Sequence, residues 1–246
     1  MVTMELCLLI PAKNEAQSLP STISNFCDTL GPLIPFNILV VIDHSDDDSL
    51  AVLQQLSEKY MNLNFVDNIL EEGVGNAIRF GLGRWKGDVV AICMADGSDS
   101  SYDILTSYNI INSGKFDCVF GSRFIKGGKV HGYPIVKLVF NRVFNSLIKM
   151  ISLYKYNDFT NIFKVYHRSA IEAIQPIEST GFSIGLEMSL KAFSKNLKIE
   201  IIPIQWKQRS AGKSKLNFRK NLKSYLNTAV RLLPKQIQLF RQTTEK

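Results

Sequence analysis

The chain has 246 residues, 46% hydrophobic and 21% charged, the balance of a folded globular protein with one substantial core. It contains no uninterrupted apolar run of roughly 18 residues, which excludes a bilayer-spanning helix, and its three histidines and four cysteines show no HExxH, CxxC or metal-knuckle spacing. Net charge is +7, with basic residues concentrated after about residue 120, so charge alone admits nucleic acid, phosphorylated substrates or an anionic membrane face as partners.

Glu5 to Ile10 reads as a first buried strand, stopped by Pro11. Helical periodicity follows from about Glu15, with Pro20 in its early turns. "FNILVVI" is a second apolar strand, and it ends in "DHSDDDS", residues 43–49. A helix from Ser49 to Lys59, a weak strand "LNFVD" and a glycine-spaced helix from Gly73 to Trp85 come next. The β-branched run Val89 to Met94 is a fourth strand, a helix spans about Ser101 to Ile111, and "FDCVF" is a fifth strand.

The second half is more basic. Residues 121–134, "GSRFIKGGKVHGYP", predict a mobile glycine-rich loop, and an apolar helix runs from Ile135 to Ile148. "YNDFTNIFKVYHRSAIEAI" reads as loop, strand and short helix, Gly185 to Lys195 as a helix, and "KIEIIPI" as a last strand. "QWKQRSAGKSKLNF" is a basic loop. From Leu216 to about Phe240, Leu222, Leu226, Val230 and Leu233 recur on one helical face, with Lys220, Lys223, Arg231 and Lys235 among them. Strand–helix alternation with short connections predicts an α/β fold, a mostly parallel sheet covered by helices. The division expected is a domain over 1–215 and a basic amphipathic extension over 216–246.

Acidic clusters fall at strand ends: Asp43, Asp46, Asp47 and Asp48 after the second, Asp96 and Asp99 after the fourth. Ligands of open α/β sheets bind outside the carboxyl ends of the strands, and clustered oxygens there suit Mg²⁺ or Mn²⁺. The plainer alternative is a solvated turn in which Asp99 or Ser100 caps the next helix. "GVGNAIRFG" is not a dinucleotide fingerprint, and no phosphate-loop lysine motif is present.

Taken in order, these segments resemble the inverting family 2 glycosyltransferases of GT-A fold, in particular the branch acting on dolichyl or polyprenyl phosphate. "LLIPAKNEAQSL" is similar to the family's opening strand and nucleotide turn, which would place Pro11, Ala12, Asn14 and Glu15 at the donor. "VVIDHSDDDS" resembles V-V-D-D-G-S-T-D-G-T, with Asp43 and Asp47 matched and Ile42 in place of the first aspartate. "GVGNAIRFGL" resembles the G-x-G-x-A segment beside the diphosphate, implying Gly75 and Asn76. "CMADGSDS" resembles D-A-D-x-[SQ]: Met94 replaces the first aspartate, Asp96 matches the principal metal ligand, and Ser98 and Asp99 complete the implied metal set. "GSRFIKGG" resembles the acceptor loop, and "DFTNIFKVYHR" resembles D-x-T-N-G-F-K-x-Y-R with Ile162 for its glycine.

The resemblance implies metal-dependent, inverting transfer of a sugar, mannose or glucose, from a nucleotide-sugar to a polyprenyl phosphate, with Mg²⁺ or Mn²⁺ as cofactor. Ser122, Arg123, Lys126, Arg142, Asn145, Arg209 and Lys213 would bind the acceptor, and Asp158 would steady the arginines or act as a base. A phosphate acceptor is already ionised and needs positioning more than deprotonation. Trp206 would stack on lipid or substrate or pack in the core, while Glu187 would be functional or an exposed helix acid. His131 and His167 read as structural or solvent-facing. The alternatives are a saccharide, protein or lipid hydroxyl as acceptor, or a non-catalytic scaffold; nucleic-acid binding finds no motif. A start without a basic region or signal core predicts a cytoplasmic protein, peripheral at an anionic membrane, with oligomerisation left open.

Overall fold

A computed structural model describes residues 3–208 and 221–233. In chain order the elements are β1 (Leu6–Ala12), α1 (Leu19–Leu30), β2 (Phe36–Ile42), α2 (Ser49–Lys59), β3 (Leu63–Asp67), α3 (Val74–Leu82), β4 (Val89–Ile92), α4 (Ser101–Asn112) and β5 (Cys118–Ser122). They continue with β6 (Lys129–His131), α5 (Ile135–Ser152), β7 (Lys164–His167), α6 (Arg168–Ala173), α7 (Ile184–Ser194), β8 (Ile199–Pro203) and β9 (Gln205–Lys207). Residues 221–233 form a further helix.

Seven strands make one sheet in the order β3-β2-β1-β4-β7-β5-β8, and only β7 runs against its neighbours. Alternation along β1 explains why the sheet is covered on both faces. Leu6, Leu8 and Ile10 pack under α1 and α4, while Cys7 and Leu9 pack on the opposite face with α3 and α7. On α1, Leu19, Ile23, Phe26 and Leu30 fall on one stripe and are all buried. The four cysteines are free thiols, three of them buried.

The sequence placed the end of β1 at Pro11, but the strand continues to Ala12. The Leu9 carbonyl accepts from Cys93 on the β4 side (3.1 Å) and the Ala12 carbonyl accepts from Asp43 on the β2 side (2.7 Å). By alternation Pro11 faces β4, whose ladder has already ended at Ile92, so its missing N–H is not needed. β4 is shorter than the apolar run suggested because the Met94 amide donates to the Asp99 carboxylate (2.8 Å) instead of to a strand. α3 likewise stops at Leu82, with Gly83 at its C-cap, rather than reaching Trp85.

The region expected to be a mobile loop, 121–134, contains β6, which pairs in parallel with β9. That pairing joins segments more than 70 residues apart and turns part of the second basic loop into strand. Residues 221–233 pack on the rest of the fold: Ala229 and Leu233 enter the core beside α7, and Phe144 of α5 meets Tyr225 at 5.4 Å. Leu222 and Leu226 line the cavity described below, while Leu226 and, more so, Val230 of the expected stripe remain exposed. Arg231 pairs with Glu178 and with Glu187. Glu187, which could have been an exposed acid, is fully buried and accepts from the amides of Glu178 and Ser179. Lys220, Lys235, Arg209 and Lys213 lie outside the described residues.

Candidate active site

Strand order reverses between β1 and β4, since β2 and β3 lie to one side of β1 and β4, β7, β5 and β8 to the other. A crevice opens at such a point beyond the strand ends. Because β7 is antiparallel, its leading loop, residues 158–163, reaches the same edge as the carboxyl ends of β2, β1, β4 and β5. Along that edge the sequence is Asp43, then Pro11 and Ala12, then Asp96 and Asp99, then Asp158, then Arg123. Two strand steps separate β2 from β4, and two more separate β4 from β5. A cavity of about 600 Å³ runs over this edge, lined by all of these residues except Asp158.

At its first station Asp43 is buried and accepts from the Asn68 amide (2.8 Å) and the Gly73 N–H (3.0 Å). Glu15 also lines the cavity, its carboxylate taking the Ser18 hydroxyl at 2.7 Å. Asn14 and Asp47 instead knot the loops together. The Asn14 side chain bonds both ways with Asp46, and Asp47 accepts from Ala16 N–H and Ser49 N–H, each at 3.0 Å. Gly75 and Asn76 lie off the cavity wall. A Cβ on Gly75 would stand 2.5 Å from the Ser179 carbonyl oxygen, so glycine is there for close packing of α3 on residues 179–181. Asn76 bonds the Glu71 carbonyl and Arg79.

At the second station the chain turns through Gly97 at φ +70°, a left-handed conformation natural to glycine. The Ser98 N–H bonds Asp96 (3.1 Å), and Asp99 holds Met94, so neither Asp99 nor Ser100 caps α4 with its side chain. Burial pushes the Asp99 carboxyl up to about 7, opposed by the Met94 hydrogen bond and assisted by the Asp96 charge. A divalent cation placed here would relieve that burden by favouring the ionised form. Among the described residues no three His, Cys, Asp or Glu side chains converge as a cage. Two carboxylates and the Ser98 hydroxyl nevertheless fit a hard ion that completes its shell with water and phosphate oxygens.

The third station is a buried ion pair. Arg123 donates through Nε (2.8 Å) and Nη2 (2.6 Å) to the two oxygens of Asp158, and its own N–H adds a third bond (3.0 Å). Burial works against the guanidinium charge, but the Asp158 carboxylate more than restores it. Ser122 is buried and donates to Asn157 (2.6 Å). Asn145, implied at the acceptor, is fully buried and ties Asn141 on α5 to Thr160; these two partners line the cavity. Arg142 lies over the Phe124 ring (4.5 Å), outside the cavity lining, with Nη1 buried and without a hydrogen-bond partner among the described residues. Lys126 is exposed and away from the lining.

Sequence reasoning missed Lys164, whose motif position gave no hint that it is fully buried. Its ammonium caps the carbonyls of Phe159 and Asn161 beneath the 158–161 turn. Burial lowers its pKa to about 7, partly offset by Asp158 and reinforced by Arg123. Tyr133 also went unmarked, and the sequence did not decide between packing and binding for Trp206; both line the cavity as an edge-to-face pair at 4.9 Å. Phe140, Val143, Phe144 and Leu147 of α5, with Leu222 and Leu226, form an apolar wall opposite the acidic strand ends.

Comparison with known proteins gives the family and the fold. The model of Glycosyl transferase family 2 matches residues 7–175. Dolichol-phosphate mannosyltransferase of Pyrococcus furiosus is 28% identical over 232 residues, 94% of this chain and 64% of that protein, so the chain spans just under two thirds of this relative. Polyprenol monophosphomannose synthase of Mycolicibacterium smegmatis is 25% identical over 221 residues, 87% of this chain and 82% of its own. Among solved structures, glucosyl-3-phosphoglycerate synthase from Mycobacterium tuberculosis, in complex with Mn²⁺, uridine-diphosphate-glucose and phosphoglyceric acid, matches with TM-score 0.71 at 15% identity. That match covers 94% of this chain and 80% of the other, and at such identity it speaks for the fold.

Proposed function

Since the chain belongs to glycosyl transferase family 2, we propose that it transfers a hexose, mannose or glucose, with inversion from a nucleotide-sugar to a polyprenyl phosphate, using Mg²⁺ or Mn²⁺. The observation that carries the choice of acceptor is the apolar wall of the cavity and its continuation outside. On α5, Val136, Val139, Val143 and Met150 are more than half exposed, at spacings that keep them on one side of the helix. Such a face, beside Lys137 and Lys149, suits a helix lying in a membrane interface next to a lipid-linked substrate. No described helix is long and apolar enough to cross a membrane. The names of the Pyrococcus and Mycolicibacterium relatives support the same acceptor class. A small phosphorylated acceptor, as in the name of the mycobacterial synthase, would leave this apolar surface without a purpose.

The three stations then divide the work. Asp43 holds the ribose or base side, and Asp96, Asp99 and Ser98 would hold the divalent ion. When bound, that ion neutralises charge on the departing nucleoside diphosphate. Arg123 meets the acceptor phosphate, its fork oriented by Asp158. Both oxygens of Asp158 are taken by that fork, which makes it a positioning group rather than a base; an ionised phosphate needs none. Asp96 and Arg123 both line the same cavity, so donor and acceptor phosphates would meet within it.

The deciding experiment offers a panel of nucleotide-sugars with a short-chain polyprenyl phosphate or with 3-phosphoglycerate, and measures sedimentation with anionic vesicles. Transfer to the lipid phosphate, with vesicle binding abolished in Val136→Glu/Met150→Glu, is expected. Transfer to the small acceptor alone, without vesicle binding, would overturn the acceptor assignment.

A further inference from the structure

The β6–β9 ribbon is tied both to the turn that carries Asp96 and to the surroundings of Arg123. Next to Trp206, the Lys207 N–H bonds the carbonyl of Ser98 (3.3 Å), and Ser98 in turn bonds Asp96. On its other side the Trp206 indole meets Tyr133, whose ring lies 5.7 Å from the Arg123 guanidinium. The Gln205 N–H on Asp103 (2.9 Å) and the Gln208 N–H on the His131 carbonyl (2.9 Å) fix the ribbon on either side of the tryptophan. A half-buried indole therefore lines the cavity, anchored between the turn of Asp96 and the Arg123 side chain.

We propose that Trp206, backed edge-on by Tyr133, is the platform for the transferred hexose and sets its orientation between the two phosphates. A pyranose has a face of axial C–H bonds that is weakly positive, and the indole face is weakly negative, so stacking is favourable while the hydroxyl rim stays wet. An aromatic surface does this without committing to one hydroxyl pattern. The residue that discriminates mannose from glucose would then be Gln208, two residues from Trp206 and also on the cavity lining. The inference rests on a nucleotide-sugar occupying Asp43 and Asp96, and is independent of whether the acceptor is a lipid.

The test separates sugar from nucleotide. With Mn²⁺ present, calorimetric dissociation constants are compared for a nucleotide-sugar and for its nucleoside diphosphate, in the parent protein, Trp206→Phe, Trp206→Leu and Tyr133→Leu, each checked for an unchanged thermal transition. Trp206→Leu should weaken the nucleotide-sugar roughly 3- to 10-fold and leave the diphosphate within about 2-fold, with phenylalanine restoring most of the loss. The protein has two tryptophans, and Trp85 is buried under Arg168 (4.0 Å), so fluorescence change on adding nucleotide-sugar should vanish in Trp206→Phe. Equal weakening of sugar and diphosphate would mean that the ribbon only supports the metal turn, and would overturn the proposal. So would unchanged donor binding with a raised KM for polyprenyl phosphate, which would assign the indole to the acceptor chain. Failure of the parent protein to bind any nucleotide would refute the donor reading itself, a result distinct from both.

Discussion

Replacing Asp158 by asparagine removes the counter-charge from a guanidinium that is itself buried. The Arg123 fork loses a carboxylate bonded at 2.6 and 2.8 Å, and an amide NH₂ would face one of its N–H groups. Breaking a buried ion pair by deleting one partner costs about 3–5 kcal/mol, because the remaining charge has neither water nor a partner. For a chain of this size that corresponds to a fall of about 6–20 °C in Tm. Arg123→Met/Asp158→Leu should be less damaging than the two single changes combined, since apolar groups then fill the site; the backbone N–H of Arg123 loses its acceptor in either case. Thermal and urea denaturation of the four proteins give the coupling energy directly. Initial rates should show Asp158→Asn raising the acceptor KM more than the donor KM, because Asp158 orients the arginine assigned to the acceptor phosphate. A Tm within about 2 °C of the parent, or losses additive within about 0.5 kcal/mol, would refute the reasoning.

Asp96→Asn should reduce turnover by about 10²–10³-fold in a protein that still melts cooperatively; near-normal transfer would remove Asp96 from the site. Gly75→Ala should cost about 1–3 kcal/mol by driving a methyl into the Ser179 carbonyl, 2.5 Å away, and urea denaturation reads this directly. Burial holds Lys164 down from 10.5 to about 7, so between those values the unfolded chain binds the extra proton and stability rises with pH. Lys164→Met abolishes that contribution. Its stability relative to the parent should therefore fall by up to about 1.4 kcal/mol per pH unit from about pH 7 to 9, and parallel pH profiles would contradict the assignment.

The alternating βα pattern, the strand ends carrying Asp43 and Asp96, and the motif order from Pro11 to Asp158 were all legible in the chain. Each depends on residues close in sequence: an apolar run of the right length, a turn that ends it, a carboxylate just beyond. Periodicity also found α5 and the helix of residues 221–233, but not what their apolar faces meet. One helix keeps a bare stripe, whereas the other sends Ala229 and Leu233 into the core and Leu222 and Leu226 to the cavity. No local pattern distinguishes these outcomes, since burial depends on which surface arrives opposite.

Long-range pairing decided the rest. The antiparallel insertion of β7 brings Asp158 beside Arg123, 35 residues away, and turns two separately plausible charges into one buried fork. Pairing of β6 with β9 joins two segments read as loops and sets Trp206 against Tyr133. Close packing spends Gly75 on a helix contact and buries Asn145 between two cavity residues, although motif position alone put both at the substrate. Sequence specified which chemistry is present and at which strand ends, because turns and periodicity are local; tertiary structure decided which groups face one another, because burial and charge pairing depend on neighbours distant along the chain.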